Sequence, residues 1–109
     1  MTPLHISRQD TPDGPLLRVA GELDYDQAGS LRQEVERLSL APGQCLVFDL
    51  FGLEHCDSTG ITVFLAARQY AQSAGADVAL AAVPADFLRI LTIVGLDQVF
   101  TIRPGTGAA

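Results

Sequence analysis

Cys45-Leu46-Val47-Phe48-Asp49-Leu50 is an apolar run interrupted only by one carboxylate. Near-continuous apolar runs of this length belong to central strands buried on both faces, whereas alternation marks a strand with one wet face. A second run, Val78-Ala79-Leu80-Ala81-Ala82-Val83, follows a stretch with helical character over 58–74. Two buried strands joined by a helix predict a parallel pair with a right-handed crossover. That pairing commits the chain to helices packed on a sheet rather than to a bundle or a sandwich.

The flanking segments extend this frame. Residues 4–8 suit a short edge strand, and Leu16-Leu17-Arg18-Val19-Ala20 suits another. Between them Thr11-Pro12-Asp13-Gly14-Pro15 supplies turn geometry, so residues 4–20 read as a hairpin. Gly21-Glu22-Leu23-Asp24 leads into a helix whose core face is Ala28, Leu31, Val35 and Leu38, and Ala41-Pro42-Gly43 ends it. In the helix over 58–74, Ile61, Phe64, Leu65 and Ala71 form the predicted core face. Thr62, Val63, Ala66, Gln69, Tyr70 and Ser73 then point outward, with Val63 and Tyr70 as apolar partner contacts. Gly75 stops that helix. Pro84 opens a third helix, with Phe87, Leu88, Leu91 and Val94 inward and Gly95 as its stop. Val99-Phe100-Thr101-Ile102 reads as a last strand.

The resulting order is β-β-α-β-α-β-α-β. It predicts a small single-domain α/β fold over residues 1–109, with a mixed β-sheet and helices packed mainly on one face. The core spans about 4–103, and 104–109 form a flexible tail. A chain of 109 residues can bury roughly 60–70% of its unfolded surface without staples.

Charge narrows the partners. The net charge is −6 and every basic residue is Arg, with no basic cluster. Nucleic acid and anionic membrane are therefore not expected as partners, whereas a protein surface offering Arg or Lys is. No apolar stretch has the length of a membrane span, and Met1-Thr2-Pro3-Leu4-His5 shows no basic region followed by an apolar one. A cytoplasmic protein with reduced Cys45 and Cys56 is expected.

The junction Asp57-Ser58-Thr59-Gly60 stands between the central strand and the helix that follows. Ser58 is placed to cap that helix, where backbone N–H groups and the positive end of the dipole would accommodate a phosphate on its oxygen. An ordinary N-cap explains the same residues without any chemistry. Asp24 and Asp26 end one strand and Asp57 another, so neighbouring strand ends would gather an acidic rim about Ser58. Solvated turn carboxylates are the plainer alternative.

Other chemistries fit poorly. Ser58 with His55 and an Asp has the residue types for acyl transfer, but the glycine-flanked nucleophile elbow is missing. His55 reads instead as an exposed loop histidine. His55, Cys56 and Asp57 are too tightly clustered to bind a metal, and no glycine-rich phosphate loop occurs. No enzyme activity, metal or cofactor is expected.

Taken in order, these residues resemble the STAS domain family and, within it, the bacterial anti-sigma factor antagonists. The resemblance rests on Gly21-Glu22-Leu23-Asp24, Asp49-Leu50, Asp57-Ser58-Thr59-Gly60, Gly75, Pro84 and Gly95-Leu96-Asp97, and covers about residues 4–103. It implies that Ser58 is phosphorylated by an anti-sigma factor that is itself a serine kinase, with Thr59 the second candidate acceptor. It further implies that a PP2C-type phosphatase resets the switch, and that Asp24 and Asp57 flank the phosphosite. Gly60, His55 and Val63 complete the expected partner-contact environment. His55 and Cys56 depart from the family, which usually has apolar residues there. The alternative within the family is a STAS interaction or ligand-binding module of a stress-signalling or transport complex that is never phosphorylated.

Overall fold

The computed structural model describes residues 2–103, so the tail expected over 104–109 lies outside the described residues. Strands β1 (His5–Thr11) and β2 (Gly14–Leu23) form the antiparallel hairpin, and helix α1 spans Tyr25–Glu36. Then come β3 (Cys45–Asp49), β4 (Leu53–Cys56), α2 (Ser58–Ser73), β5 (Asp77–Ala81), α3 (Ala85–Ile93) and β6 (Thr101–Arg103). A short 3₁₀ turn, Leu96–Gln98, precedes β6. The sheet order is β1-β2-β3-β5-β6, with all pairs beyond the hairpin parallel.

Side chains alternate across a strand, and the helices cover one face only. Leu17 and Val19 of β2, Leu46 and Phe48 of β3, and Val78 and Leu80 of β5 enter the core cluster. There they meet Leu31 and Val35 of α1, Phe64 and Ala67 of α2, and Phe87 and Leu91 of α3. Three rings link the layers: Phe48 and Phe64 meet edge-on with centroids 5.0 Å apart, and Phe64 and Phe87 lie 6.0 Å apart. The central strand is thus fully buried on the helical side, whereas Cys45 and Val47 are half-buried on the other. Asp49 is buried there, accepting from Phe51 N at 3.0 Å and facing Arg18 Nε at 3.7 Å.

Several expectations change. The connection over 53–56 is a strand, β4, which pairs in parallel with the far end of β2. β2 is ten residues long and β3 takes up only Leu16, Leu17 and Arg18, so Gly21, Glu22 and Leu23 are left for β4. Helix α2 is also rotated from the expected phase, with Gly60, Val63, Phe64, Ala67 and Ala71 buried and Ile61 and Leu65 half-buried. Val63 is therefore core, because α2 packs on α1 as well as on the sheet. Tyr70 is likewise tied inward, its hydroxyl donating to the carbonyls of Leu38 at 2.8 Å and Glu36 at 3.3 Å. In α3, Phe87 and Leu91 are buried, but Val94 is exposed because the helix ends at Ile93. The last strand begins at Thr101, after the 3₁₀ turn consumes the residues before it.

Candidate functional site

The parallel pairing of β2 with β4 sets Leu23 opposite Cys56. The next residue on each strand caps a helix: Asp24 caps α1 and Asp57 caps α2. Asp57 N donates to Leu23 O at 3.3 Å, which fixes the two caps on neighbouring strand ends. The topology thus puts Asp24 and Asp57 on neighbouring strand ends. Asp26 follows in the first turn of α1 and is exposed.

The cap itself is Asp57, not Ser58. Asp57 has extended backbone, φ −95° and ψ −172°, and its carbonyl accepts the first helical bond from Ile61 N at 3.2 Å. One carboxylate oxygen, Oδ1, accepts from Thr59 N at 2.9 Å and from Gly60 N at 3.3 Å. Both residue types cap well, but an ionised carboxylate is the stronger acceptor for amides at the positive end of a helix. The displacement has a chemical consequence. Two of the amides expected to receive a phosphate are already bound to Asp57, so a phosphoryl group on Ser58 would meet a carboxylate at the helix start.

Ser58 is the first helical residue and is exposed. Among the described residues no group hydrogen-bonds its hydroxyl, while its carbonyl accepts from Thr62 Oγ1 at 3.0 Å. A hydroxyl with no structural duty can be modified without disturbing the fold. Thr59 is half-buried and therefore less accessible than Ser58.

Gly60 is where α2 touches the sheet. A Cβ at this position would collide with Cys56 Sγ and come within 3.0 Å of Leu23 Cδ2 and Cγ. Glycine is required by close approach here, since the backbone φ is ordinary. At Gly21 both reasons apply: φ is +90°, and an added Cβ would meet the Pro3 carbonyl. That glycine lets the N-terminal segment run alongside β2, where Thr2 O accepts from Glu22 N at 3.1 Å.

Cys56 is buried, and its thiol donates to Asp57 O at 3.5 Å. Burial, reinforced by the Asp57 carboxylate, pushes the thiol up to about 12. It is protonated at neutral pH and inert as a nucleophile. Burial also raises the Cys45 thiol, opposed in part by Arg103. His55 lies on β4, not in a loop, and remains exposed. It borders a shallow hollow of about 170 Å³ between β4 and α3 that is also lined by Glu54, Asp86, Phe87 and Ile90. A hollow of about 180 Å³ beside the first cap is lined by Glu22, Asp24, Asp26 and Gln27 with Thr2 and Pro3. Among the described residues no three His, Cys, Asp or Glu side chains are arranged to hold a metal. No described helix is long and apolar enough to cross a membrane.

Several exposed apolar side chains carried no expectation from the sequence, Tyr25, Phe51 and Ile93 among them. Tyr25, the first residue of α1, follows Asp24 as Ser58 follows Asp57, and it is 80% exposed. Its only signal in the sequence is that parallel placement after an aspartate.

The model of the STAS domain family matches residues 5–109. An anti-sigma-B factor antagonist from Listeria monocytogenes is 28% identical over 100 residues, covering 92% of this chain and 87% of the relative. The crystal structure of an anti-sigma factor antagonist from Mycobacterium paratuberculosis superposes with a TM-score of 0.80 at 22% identity, covering 92% of this chain and 85% of that one. The Bacillus cell fate determinant SpoIIAA in its phosphorylated form superposes with a TM-score of 0.71 at 15% identity, covering 95% and 92%.

Proposed function

The chain belongs to the STAS domain family, and on that premise we propose that it is an anti-sigma factor antagonist switched by phosphorylation of Ser58. In its unmodified form it binds an anti-sigma factor serine kinase in the cytoplasm and so frees a sigma factor for transcription. The kinase then phosphorylates Ser58 and the complex separates; a PP2C-type phosphatase removes the phosphate. The chain is a binding regulator and a kinase substrate, not an enzyme.

The observation that carries this reading is the free, exposed Ser58 hydroxyl next to the capping Asp57, with the capping Asp24 on the neighbouring strand end. Unmodified serine is small and neutral, so a partner surface can close over the start of α2. Phosphate adds about −1.5 to −2 charge at neutral pH. The α2 dipole favours that charge by only about 0.3–1 kcal/mol at an exposed site. Asp57 already occupies the Thr59 and Gly60 amides, and Asp24 caps the neighbouring helix, so the phosphate gains little inside its own chain. Desolvating it at an interface costs on the order of 2–5 kcal/mol, which weakens binding by tens to thousands of fold. No rearrangement of the fold is needed.

The decisive measurement is phosphate incorporation from ATP by an anti-sigma serine kinase, read by intact-mass spectrometry. The wild-type chain is expected to gain one phosphate, mapped to Ser58, and Ser58→Ala none. Incorporation that persists in Ser58→Ala would move the acceptor to Thr59 or elsewhere. A wild-type chain that binds the kinase but never gains phosphate would make it a constitutive STAS interaction module instead.

A further inference from the structure

We propose that Tyr25 is a docking residue for the kinase that acts on Ser58, its ring seating in an apolar recess whose rim is basic. The proposal rests on the reading of Ser58 given above and adds the means by which the partner is held.

Position supports it first. Leu23 and Cys56 are directly paired, and Tyr25 and Ser58 each lie two residues beyond that pair. Neighbouring strands are about 4.8 Å apart, so the first residues of α1 and α2 leave the sheet side by side. A surface that closes over Ser58 therefore comes to the start of α1, which Tyr25 opens.

Exposure supports it second. The Tyr25 side chain is 80% exposed, and among the described residues it makes no hydrogen bond or ring contact. Helix α1 is held by Ala28, Leu31 and Val35, so the fold makes no use of the ring. A tyrosine can give about 150–250 Å² of contact area to a partner, with little entropy to lose. Phe51 is as exposed, at 82%, but sits in the turn between β3 and β4. It precedes β4, which spans roughly 10 Å from Leu53 to Cys56, so it lies at the far end of that strand from Ser58.

Charge names the partner's chemistry. Neither 19–31 nor 38–67, the stretches that carry the two helix starts, contains an Arg or Lys. Glu22, Asp24, Asp26 and Asp57 all lie within three residues of Tyr25 or Ser58. The fitting surface therefore presents arginine or lysine around the recess, and a guanidinium can also stack on the tyrosine ring.

The test uses a purified anti-sigma serine kinase, with steady-state phosphorylation and calorimetric binding in a non-hydrolysable ATP analogue. Tyr25→Ala is expected to raise KM and Kd about ten- to hundred-fold, as a hot-spot aromatic does, with kcat changed less than about twofold. Tyr25→Phe should stay within about threefold of wild type, because area and ring are kept. Phe51→Ala serves as the control of equal exposure and should match wild type. Melting curves of all three variants should overlay, since neither ring is packed. Wild-type KM and Kd for Tyr25→Ala would overturn the proposal, as would an equal loss in Phe51→Ala or a loss confined to kcat. A wild-type chain that neither binds nor accepts phosphate would instead sink the function proposed for Ser58.

Discussion

The two helix starts are built alike and differ where it matters. Asp24 and Asp57 follow paired residues of adjacent parallel strands, and each caps a helix through its carboxylate. Asp24 accepts one backbone amide, Gln27 N at 3.1 Å, whereas Asp57 accepts two. The first helical residue is Tyr25 in one and Ser58 in the other. The third is Gln27, half-buried, against Gly60, fully buried on Cys56 and Leu23. α2 is thus seated on the sheet from its first turn, which carries the serine. The start of α1 stands clear of the core and spends its first residue on surface area. One construction, repeated, carries a modifiable hydroxyl at one copy and an exposed aromatic at the other.

The largest predicted difference is functional. Ser58→Asp is expected to weaken kinase binding by tens to thousands of fold while moving folding stability by less than about 0.5 kcal/mol, checked by calorimetry and denaturant melts. A matched loss of stability would mean that Ser58 has a structural duty after all.

Packing gives the next contrast. Gly60→Ala should destabilise by about 1–3 kcal/mol through overpacking against Cys56 and Leu23, whereas Gln27→Ala at the equivalent position of α1 should cost under about 0.5 kcal/mol. Cys56→Ala combined with Gly60→Ala should be less damaging than the sum of the single changes, because the colliding sulfur is gone. Additivity in urea melts would remove the argument for close seating.

Capping should separate the sites more modestly. Asp57→Ala is expected to cost about 1–2 kcal/mol and Asp24→Ala about 0.5–1, in keeping with two amides released against one. Equal costs would show that the second, 3.3 Å bond at Asp57 contributes nothing.

The residues before the caps give the smallest effect near neutral pH. Leu23 cannot titrate; Cys56 can, and its folded pKa is raised from 9.0 to about 12. A raised folded pKa means that the full contribution is present below about pH 9, where the thiol is protonated in both states. Above it the unfolded chain loses its proton first, so stability falls as pH climbs from 9.0 toward about 12. Cys56→Ala should flatten that part of the stability curve, and an unchanged slope would show that the thiol is not held protonated by the fold.

Much of this was legible in the chain. The hairpin, the face of α1 formed by Ala28, Leu31 and Val35, and the inner strands β3 and β5 follow from local pattern, because a stripe or a run can satisfy only one burial geometry. The acidic residues at these strand ends were legible too, but their meeting runs through β4, whose pairing with β2 no local window contains.

Other features depended on contacts that no local window contains. Leu53-Glu54-His55-Cys56 has two polar residues in four and becomes a strand only because β2 outruns β3. Ile61 with Leu65 and Val63 with Ala67 are equally good apolar spacings, and the choice fell to Gly60, whose missing side chain lets that edge of α2 settle on Cys56. Asp57 and Ser58 are both good caps; the strand register with Leu23 left Asp57 extended and began the helix at Ser58. Short segments alone set the layers, every element but β4 and the 3₁₀ turn, and the acidic serine junction, because propensity and burial period are local properties. Only the folded arrangement left the serine hydroxyl free, gave its amides to the aspartate and set the starts of α1 and α2 on neighbouring strand ends, because each depends on which strands pair.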